Sequence, residues 1–377
     1  MTEKAEVPGY DRLLLWAILG LTALGVTMVY SASAVAATER FEDPLYFVKR
    51  QLGAAGIGLA GLWAILKLGH RRLEAWAYPV LGLACAALVA VLIPGIGTES
   101  NGARRWIRFA GLGFQPGELA KLAIVLYLAK SLARKGEKVL DFSIGFVPHT
   151  VVVAGFGVLA LLEPDFGTVI VLALLLFTML FCAGAKISWL VGSFILAVPV
   201  AWHLVASSPY RMRRILAFLD PWTDRQGIGY QVSNSLISVG SGGWFGPGLG
   251  AGKQKLYYLP EAHTDFIASV IGEELGLVGI LLVVLLFGVV IWRGVKAAYA
   301  APDAFGAYLA LGITALFGIQ AIFNMLVAMG LLPTKGLALP LVSYGGSSLV
   351  LSLAAAGILL AISSGRGGYL RPQRSSR

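Results

Sequence analysis

Charge is what this sequence has least of. Only 13% of its 377 residues are Asp, Glu, Lys or Arg, against roughly a quarter in soluble domains. The mean hydropathy is +0.78. A chain so poor in charge does not have water as its main solvent, which excludes an ordinary soluble enzyme. Cysteine is nearly missing as well. Cys85 and Cys182 both lie inside apolar runs and read as small hydrophobes, not as a disulfide or a metal pair. The 4 histidines form no cluster with cysteine, which argues against a structural zinc site. The stretch Met1 to Arg12 is polar and mixed in sign, and no cleavable signal peptide is expected there.

The net charge of +10 is scattered over short loops and the tail. No basic face or RNA-binding motif gathers it, so nucleic acid is not an expected partner and anionic lipid is. What the sequence has in abundance is apolar surface, at 57%, and glycine, at 47 residues. Small residues let membrane helices approach closely. Runs of roughly 17–25 residues, the length that crosses a bilayer, occur at about ten places: 13–34, 51–67, 75–95, 118–134, 146–162, 166–184, 188–206, 266–293, 305–330 and 340–363. The expected fold is an all-α polytopic membrane protein, a single integral membrane domain over 1–377, with a long extracytoplasmic loop, 207–265, between the seventh and eighth spans.

Ten spans place both termini on one side. The basic tail, 366–377, carries Arg366, Arg371, Arg374 and Arg377 without an acid, so that side is expected to be cytoplasmic. The same choice puts Lys67/Arg71/Arg72, Lys130/Arg134/Lys135/Lys138, Lys186 and Arg293/Lys296 inside. Two outward groups run against the trend: Arg104/Arg105/Arg108, and Arg211/Arg213/Arg214 with Arg225, Lys253 and Lys255. Long loops are exempt from the charge rule; alternatively, outward cations hold an anion such as a lipid pyrophosphate, which suits bidentate arginine.

Ionisable side chains at membrane depth are costly and point to function by default. Glu118 and Lys121 open the fourth span three residues apart and share a helix face, either as a local ion pair or as part of a polar cavity. Asp165, in the tight reversal Glu163-Pro164-Asp165, can join them, cap the helix that begins near Phe166, or do both. Glu273 and Glu274 point about 100° apart on the eighth span, so at least one faces the interior, in a structural or a catalytic role. Ser343 to Ser348 puts hydroxyls and two glycines inside the last span, for helix packing or as a break that touches substrate. Lys335 lies in a short outward loop between Pro333 and Gly336, where a lone lysine is ordinarily solvated.

The 207–265 loop is too rich in aromatic residues for disorder: Trp222, Tyr230, Trp244, Phe245, Tyr257 and Tyr258 are spread through it. Residues 229–243 read as an amphipathic helix at the interface, followed by a turn-rich stretch with glycines at 240, 242, 243, 246, 248, 250 and 252. The loop ends in Pro260-Glu261-Ala262-His263-Thr264-Asp265-Phe266. The plain reading is a helix start with Thr264 or Asp265 as N-cap. The functional reading is a carboxylate at the outer membrane boundary serving as a general base, kept ionised by the helix end.

Asn101 to Ile107, Gln115 to Lys121, Pro260 to Phe266, Leu332 to Gly336 and Ser343 to Ser348, with Ser31-Ala32-Ser33 in the first span, resemble the SEDS (shape, elongation, division and sporulation) proteins over about residues 11 to 365. Gly248-Leu249-Gly250, Lys255 to His263 and Leu332 to Gly336 are more similar to the FtsW branch than to the RodA branch. Gly117 departs from the serine usual between Pro116 and Glu118. The resemblance implies a peptidoglycan glycosyltransferase that polymerises lipid II into glycan strands at the outer face of the bacterial cytoplasmic membrane, in septal wall synthesis. It implies Asp265 as the essential catalytic carboxylate and Arg105, Glu118, Lys121, Asp165, Glu261, His263 and Lys335 as substrate-binding residues. No resident metal ligand is assigned; a divalent cation at the pyrophosphate is compatible with the reaction. It also implies lipid II and a nascent strand as substrates, and as partners a class B penicillin-binding protein and other division proteins. Two other classes remain open: a lipid II flippase, although no internal repeat is visible, and a non-catalytic scaffold, which would not need Asp265. An elongation-type polymerase is the nearest alternative within the family.

Overall fold

The computed structural model describes residues 9–100, 103–109, 112–225, 227–256, 259, 262–334 and 336–365. Glu261, Lys335, Tyr257, Tyr258 and the basic tail lie outside the described residues. Each of the ten expected spans coincides with one helix: α1 (Arg12–Phe41), α2 (Tyr46–Leu68), α3 (Arg71–Leu92), α4 (Pro116–Lys135), α5 (Val147–Leu162), α6 (Phe166–Cys182), α7 (Ile187–Ala206), α10 (Ile267–Tyr299), α11 (Ala304–Ala328) and α12 (Gly346–Ser363). Among the described residues, 8 helices are long and apolar enough to cross a membrane by that measure alone. α6, at 17 residues, is shorter. α4 carries too many charges, and its position explains why it tolerates them. It is buried along most of its length, from Pro116 to Leu132, so its polar groups face protein, not lipid.

Small residues set the closest helix contacts. A Cβ on Gly58 of α2 would lie 2.5 Å from Leu353, and one on Gly357 of α12 would lie 2.8 Å from the Leu62 backbone. α2 and α12 therefore interlock through a glycine on each side, as membrane helices do when dispersion drives their association.

The 94–117 loop contains a feature that the apolar-run reading does not show: an antiparallel sheet of β1 (Gly97–Ser100), β2 (Ala103–Phe109) and β3 (Leu112–Phe114). β1 and β2 pair Thr98 with Trp106 and Glu99 with Arg104. Arg105 is thus the extra residue of a β-bulge, the device that re-aims a side chain. The last span also starts later than expected. α12 begins at Gly346, and residues 339–345 are irregular.

The 207–265 loop is ordered where it is described. α8 (Pro209–Leu219), not expected from the sequence, is followed by α9 (Tyr230–Ser241), which matches the expected helix at 229–243. α9 does not simply bury an apolar stripe. It buries Val232 together with Ser233, Asn234, Ser235 and Ser238, and Ser235 Oγ meets Ser269 Oγ at 2.6 Å and donates to the Ala328 carbonyl at 2.7 Å.

The glycine-rich stretch that follows inserts against a break in α10. Gly276 there has φ 63° and ψ −158°, a conformation closed to residues with a Cβ. The backbone groups freed by the break find partners in the inserted loop. Leu277 N donates to the Gly243 carbonyl at 2.9 Å, Val278 N to the Trp244 carbonyl at 3.1 Å, and Gly248 N to the Glu274 carbonyl at 3.0 Å. Glu273 and Glu274, both buried, serve the same contact. Glu273 accepts from Lys253 N and Gln254 N, and Glu274 accepts from Gly250 N, Ser31 Oγ and the Lys255 ammonium. Their role in this structure is to hold the loop.

A Cβ at Gly276 would meet Gly246 N and the Trp244 carbonyl carbon at 2.6 Å, whereas one at Gly288 on the same helix would meet nothing within 4 Å. Gly276→Ala is expected to destabilise the protein by about 2–4 kcal/mol through strain and overpacking, and Gly288→Ala to change little. Thermal unfolding of both variants in detergent checks this, and equal midpoints would remove the break from the list of structural determinants.

Candidate active site

Asp265 is placed by its backbone. Three successive carbonyls ahead of α10 are held from the other side of the molecule. Tyr344 N donates to the His263 carbonyl at 2.9 Å, Ser343 Oγ to the Thr264 carbonyl at 2.6 Å, and Asn324 Nδ2 to the Asp265 carbonyl at 2.9 Å. Asn324 Nδ2 also donates to the Leu337 carbonyl at 2.7 Å, and Gln51 Nε2 on α2 to the Ser343 carbonyl at 3.2 Å. The hydroxyls and glycines of 343–348 are thus neither simple packing residues nor, in this structure, a substrate contact. They are the clamp on the segment that carries Asp265.

That clamp overturns the plain reading of Asp265. The N-cap of α10 is Phe266, with no side-chain capping bond. Neither Thr264 nor Asp265 caps the helix, because the segment is held through its carbonyls and turns into the helix one residue later. The Asp265 carboxylate is directed elsewhere: its Oδ2 lies 3.3 Å from the position of a Cβ on Gly336, and Arg105 reaches within 3.8 Å of the same point. Asp265 and Arg105, far apart in sequence, converge on a glycine that leaves room for both.

Arg105 arrives there because of the bulge in β2. Its Nε donates to the Glu163 carbonyl at 3.1 Å and its Nη2 to the Pro164 carbonyl, which fastens the sheet to the α5–α6 turn. Arg104, its neighbour, points away and forms an exposed pair with Glu99 at 3.7 Å. Arg108 is exposed. Of the three arginines in this segment, one is turned into the site.

Asp165 does cap α6: its carboxylate accepts from Thr168 N at 3.1 Å and Thr168 Oγ1 at 2.8 Å. It also adjoins α4, because a Cβ on Gly117 would lie 3.4 Å from Asp165 Oδ2 and 3.1 Å from Thr168 Oγ1. The hydroxyl that a serine at 117 would bring to this spot is already supplied by Thr168. One residue on, Glu118 pairs with Lys121 at 2.7 Å; the lysine is almost fully enclosed and the acid mostly so. Glu118 also lines a cavity of about 10 Å³, bounded by Leu122, Phe317, Gln320 and Ser352, with room for about one water.

His263 is half-buried, with its ring 4.7 Å from Phe47 and 5.4 Å from Tyr344. The expected substrate-binding histidine thus stands in an aromatic cluster beside the clamp. Among the described residues, no group of three or more His, Cys, Asp or Glu side chains is arranged to hold a metal ion.

The sequence offers Arg211 and Arg214 of α8 as anion-holding cations, whereas any role for Glu163 escaped it. Arg211 lies over the Phe166 ring at 4.3 Å, and Arg214 donates to the Thr334 carbonyl at 3.1 Å, so α8 brings positive charge to the rim of the same site. Glu163 was noted only as part of a turn. Its side chain is 1% exposed, and burial, reinforced by the charge of Asp165 and opposed by Arg105, pushes its pKa up to about 8.

A family model for FtsW, RodA and SpoVE cell cycle proteins matches residues 12–367. The chain belongs to the FtsW/RodA/SpoVE family. It is 49% identical over 94% of its length to a probable peptidoglycan glycosyltransferase FtsW of Trichlorobacter lovleyi, covering 93% of that protein. It is 43% identical over 96% of its length to stage V sporulation protein E of Bacillus subtilis, covering 99% of it. Among solved structures, a chain of a peptidoglycan synthase complex that coordinates polymerisation and crosslinking superposes with a TM-score of 0.78 at 32% identity, over 96% of this chain and 99% of that one. The rod shape determining protein RodA of Thermus thermophilus superposes with a TM-score of 0.70 at 32% identity, over 96% and 98%. The polytopic helical fold and multi-pass membrane character of this chain follow from the family and from its own helices.

The Glu118–Lys121 pair gives a direct test of what the cavity needs. Lys121→Met leaves an enclosed carboxylate without its partner and is expected to cost about 3 kcal/mol. Glu118→Gln combined with Lys121→Met removes both charges and is expected to recover most of that stability. A double-mutant cycle by thermal unfolding reads the coupling; a double variant as unstable as Lys121→Met would mean that the pair does not hold the two helix turns.

Proposed function

We propose that this FtsW-branch family member is a peptidoglycan glycosyltransferase that polymerises lipid II into glycan strands at the outer face of the cytoplasmic membrane, for septal wall synthesis. The observation that carries the reading is the clamped Asp265 carboxylate facing Arg105 across Gly336. A base for glycosyl transfer needs to be fixed within reach of a hydroxyl, and three carbonyl contacts fix this one.

In the reaction, the Asp265 carboxylate accepts the proton of the 4-hydroxyl of an acceptor GlcNAc. That oxygen forms a bond to C1 of a donor MurNAc from the face opposite the leaving group, so the configuration inverts. The C1–oxygen bond to undecaprenyl pyrophosphate breaks, and the leaving group carries away the electron pair. Arg105 and the α8 cations Arg211 and Arg214 supply positive charge for it. Glu118, Lys121 and Asp165 form the polar floor. Glu261, His263 and Lys335 keep the substrate-binding roles that the family resemblance gives them. A divalent cation at this step would arrive with the pyrophosphate. Both termini are assigned to the cytoplasm. The partner is a class B penicillin-binding protein that cross-links the strands, with other division proteins and anionic lipid around them.

The break in α10 supports a second reading. Interrupted helices paired with an inserted loop occur in transporters, so lipid II flipping is the alternative activity. Purified protein with its penicillin-binding partner is expected to polymerise lipid II in detergent. Asp265→Ala is expected to reduce the rate at least about 100-fold, as loss of a general base does, with folding and partner binding retained. Wild-type polymer yield from the variant would overturn the assignment of Asp265. Transbilayer movement of lipid II in vesicles without chain growth would replace the enzyme reading by the flippase.

A further inference from the structure

Glu163 lies beside this site, and the mechanism above gives it no work. It closes α5 at the outer end, and among the described residues its Oε1 is buried without a hydrogen-bond partner. An ionised carboxylate in that position would be expensive. Yet a guanidinium lies next to it and does not take it up: Arg105 spends Nε on the Glu163 backbone carbonyl and Nη2 on the Pro164 carbonyl. Its Nη1 extends to the Gly336 point shared with Asp265. The arginine reads the turn's backbone and leaves the turn's acid alone.

We propose that Glu163 is a positioning residue that works as a neutral acid, leaving Arg105 free to face Asp265, and that its ionisation draws Arg105 onto its own carboxylate and disarms the site. This inference rests on the glycosyltransferase reading for its effect on activity, but not for the state of the acid. Burial disfavours the charged form of Glu163, and the negative Asp165 two residues on disfavours it further. Arg105 on β2 works against both. Beyond these, the Glu118–Lys121 pair lies past Gly117 on α4, Asp265 past Arg105, and Arg211 past the Phe166 ring on α8. Glu163 therefore holds its proton at neutral pH and releases it near pH 8.

Three measurements on the full-length protein with its partner test this. In infrared spectra, the difference between wild type and Glu163→Gln is expected to show the carbonyl band of a protonated carboxylic acid at pH 7, fading with a midpoint near pH 8. In polymerisation assays, the wild-type rate is expected to fall about tenfold for each pH unit above that midpoint, while Glu163→Gln keeps the neutral-pH rate and loses this alkaline limb. Stability follows the linkage sign of a raised acid. The unfolded chain ionises from its ordinary value near 4.5 and the folded one only near 8, so Glu163→Gln gains on wild type as pH rises through that window and holds its lead above it. A merely structural glutamate would move the unfolding midpoint but not the pH profile of the rate. The proposal is overturned if no protonated acid is seen at pH 7, if Glu163→Gln follows the same alkaline fall as wild type, or if the folded Gln variant is inactive at neutral pH. A wild type that shows the protonated band yet makes no polymer at any pH upholds the neutral acid and counts against the glycosyltransferase reading.

Discussion

Every backbone N–H and C=O at membrane depth needs a partner within the protein, because lipid offers none. The architecture here follows from meeting that requirement at two places where the chain is not helical. At Gly276 the ladder of α10 is interrupted, and the glycine-rich loop enters to accept from Leu277 and Val278 and to donate to the Glu274 carbonyl. The loop is glycine-rich for a steric reason at this contact. A Cβ on Gly242 would lie 1.9 Å from the Gly272 carbonyl oxygen, and one on Gly246 2.1 Å from that of Glu274. The two adjacent glutamates then accept from the loop's backbone at Gly250, Lys253 and Gln254, and the Lys255 ammonium and Ser31 on α1 in turn bond Glu274. The glycine-rich part of the 207–265 loop is thereby fixed to the helix that Asp265 immediately precedes.

The second non-helical stretch, 339–345, solves the same problem by exchange. Its free donors go to the carbonyls of 263 and 264, which the late start of α10 leaves open, and Asn324 covers those of 265 and 337. Two irregular segments satisfy one another, and the geometry of Asp265 is a consequence. A capping carboxylate would be occupied by its own helix. A carboxylate on a segment held through its carbonyls can be turned to the surface that faces Arg105.

The sequence made the ten helices legible because apolar length is a strong signal and the bilayer sets the scale. It made Glu118–Lys121 and the cap at Asp165 legible because helix spacing and cap chemistry are local. The sheet at 97–114 was not legible: its strands are short, and their only pattern is a few alternating polar residues between two spans. Nor was the bulge at Arg105, since register is decided between strands and not within one. Asp265 showed the limit most clearly. Local chemistry made it a cap, and only contacts from Ser343, Tyr344 and Asn324, far along the chain, decide otherwise. The polar motif 343–348 was visible as an anomaly, but what it holds is a tertiary fact.

Seen from its charges, the site is a set of compensations in which arginine placement decides what each acid can do. Lys121 is committed to Glu118 within one helix face, so that pair is electrically quiet. Asp165 is committed to Thr168 and the start of α6. Glu163 is the most buried of the three and forms no ion pair among the described residues. Arg105 is the remaining variable. The bulge gives it two backbone carbonyls to grip and a third donor to extend, so its charge is anchored to the turn without being consumed by it. A lysine at this position would bring the charge but not the fork. It could not hold the α5–α6 turn and reach across Gly336 at once, and the sheet would lose its tie to the helical bundle together with the cation opposite Asp265. Anchoring and electrostatics are therefore one function of one side chain, and the bulge in β2 is the feature of the fold that makes them compatible.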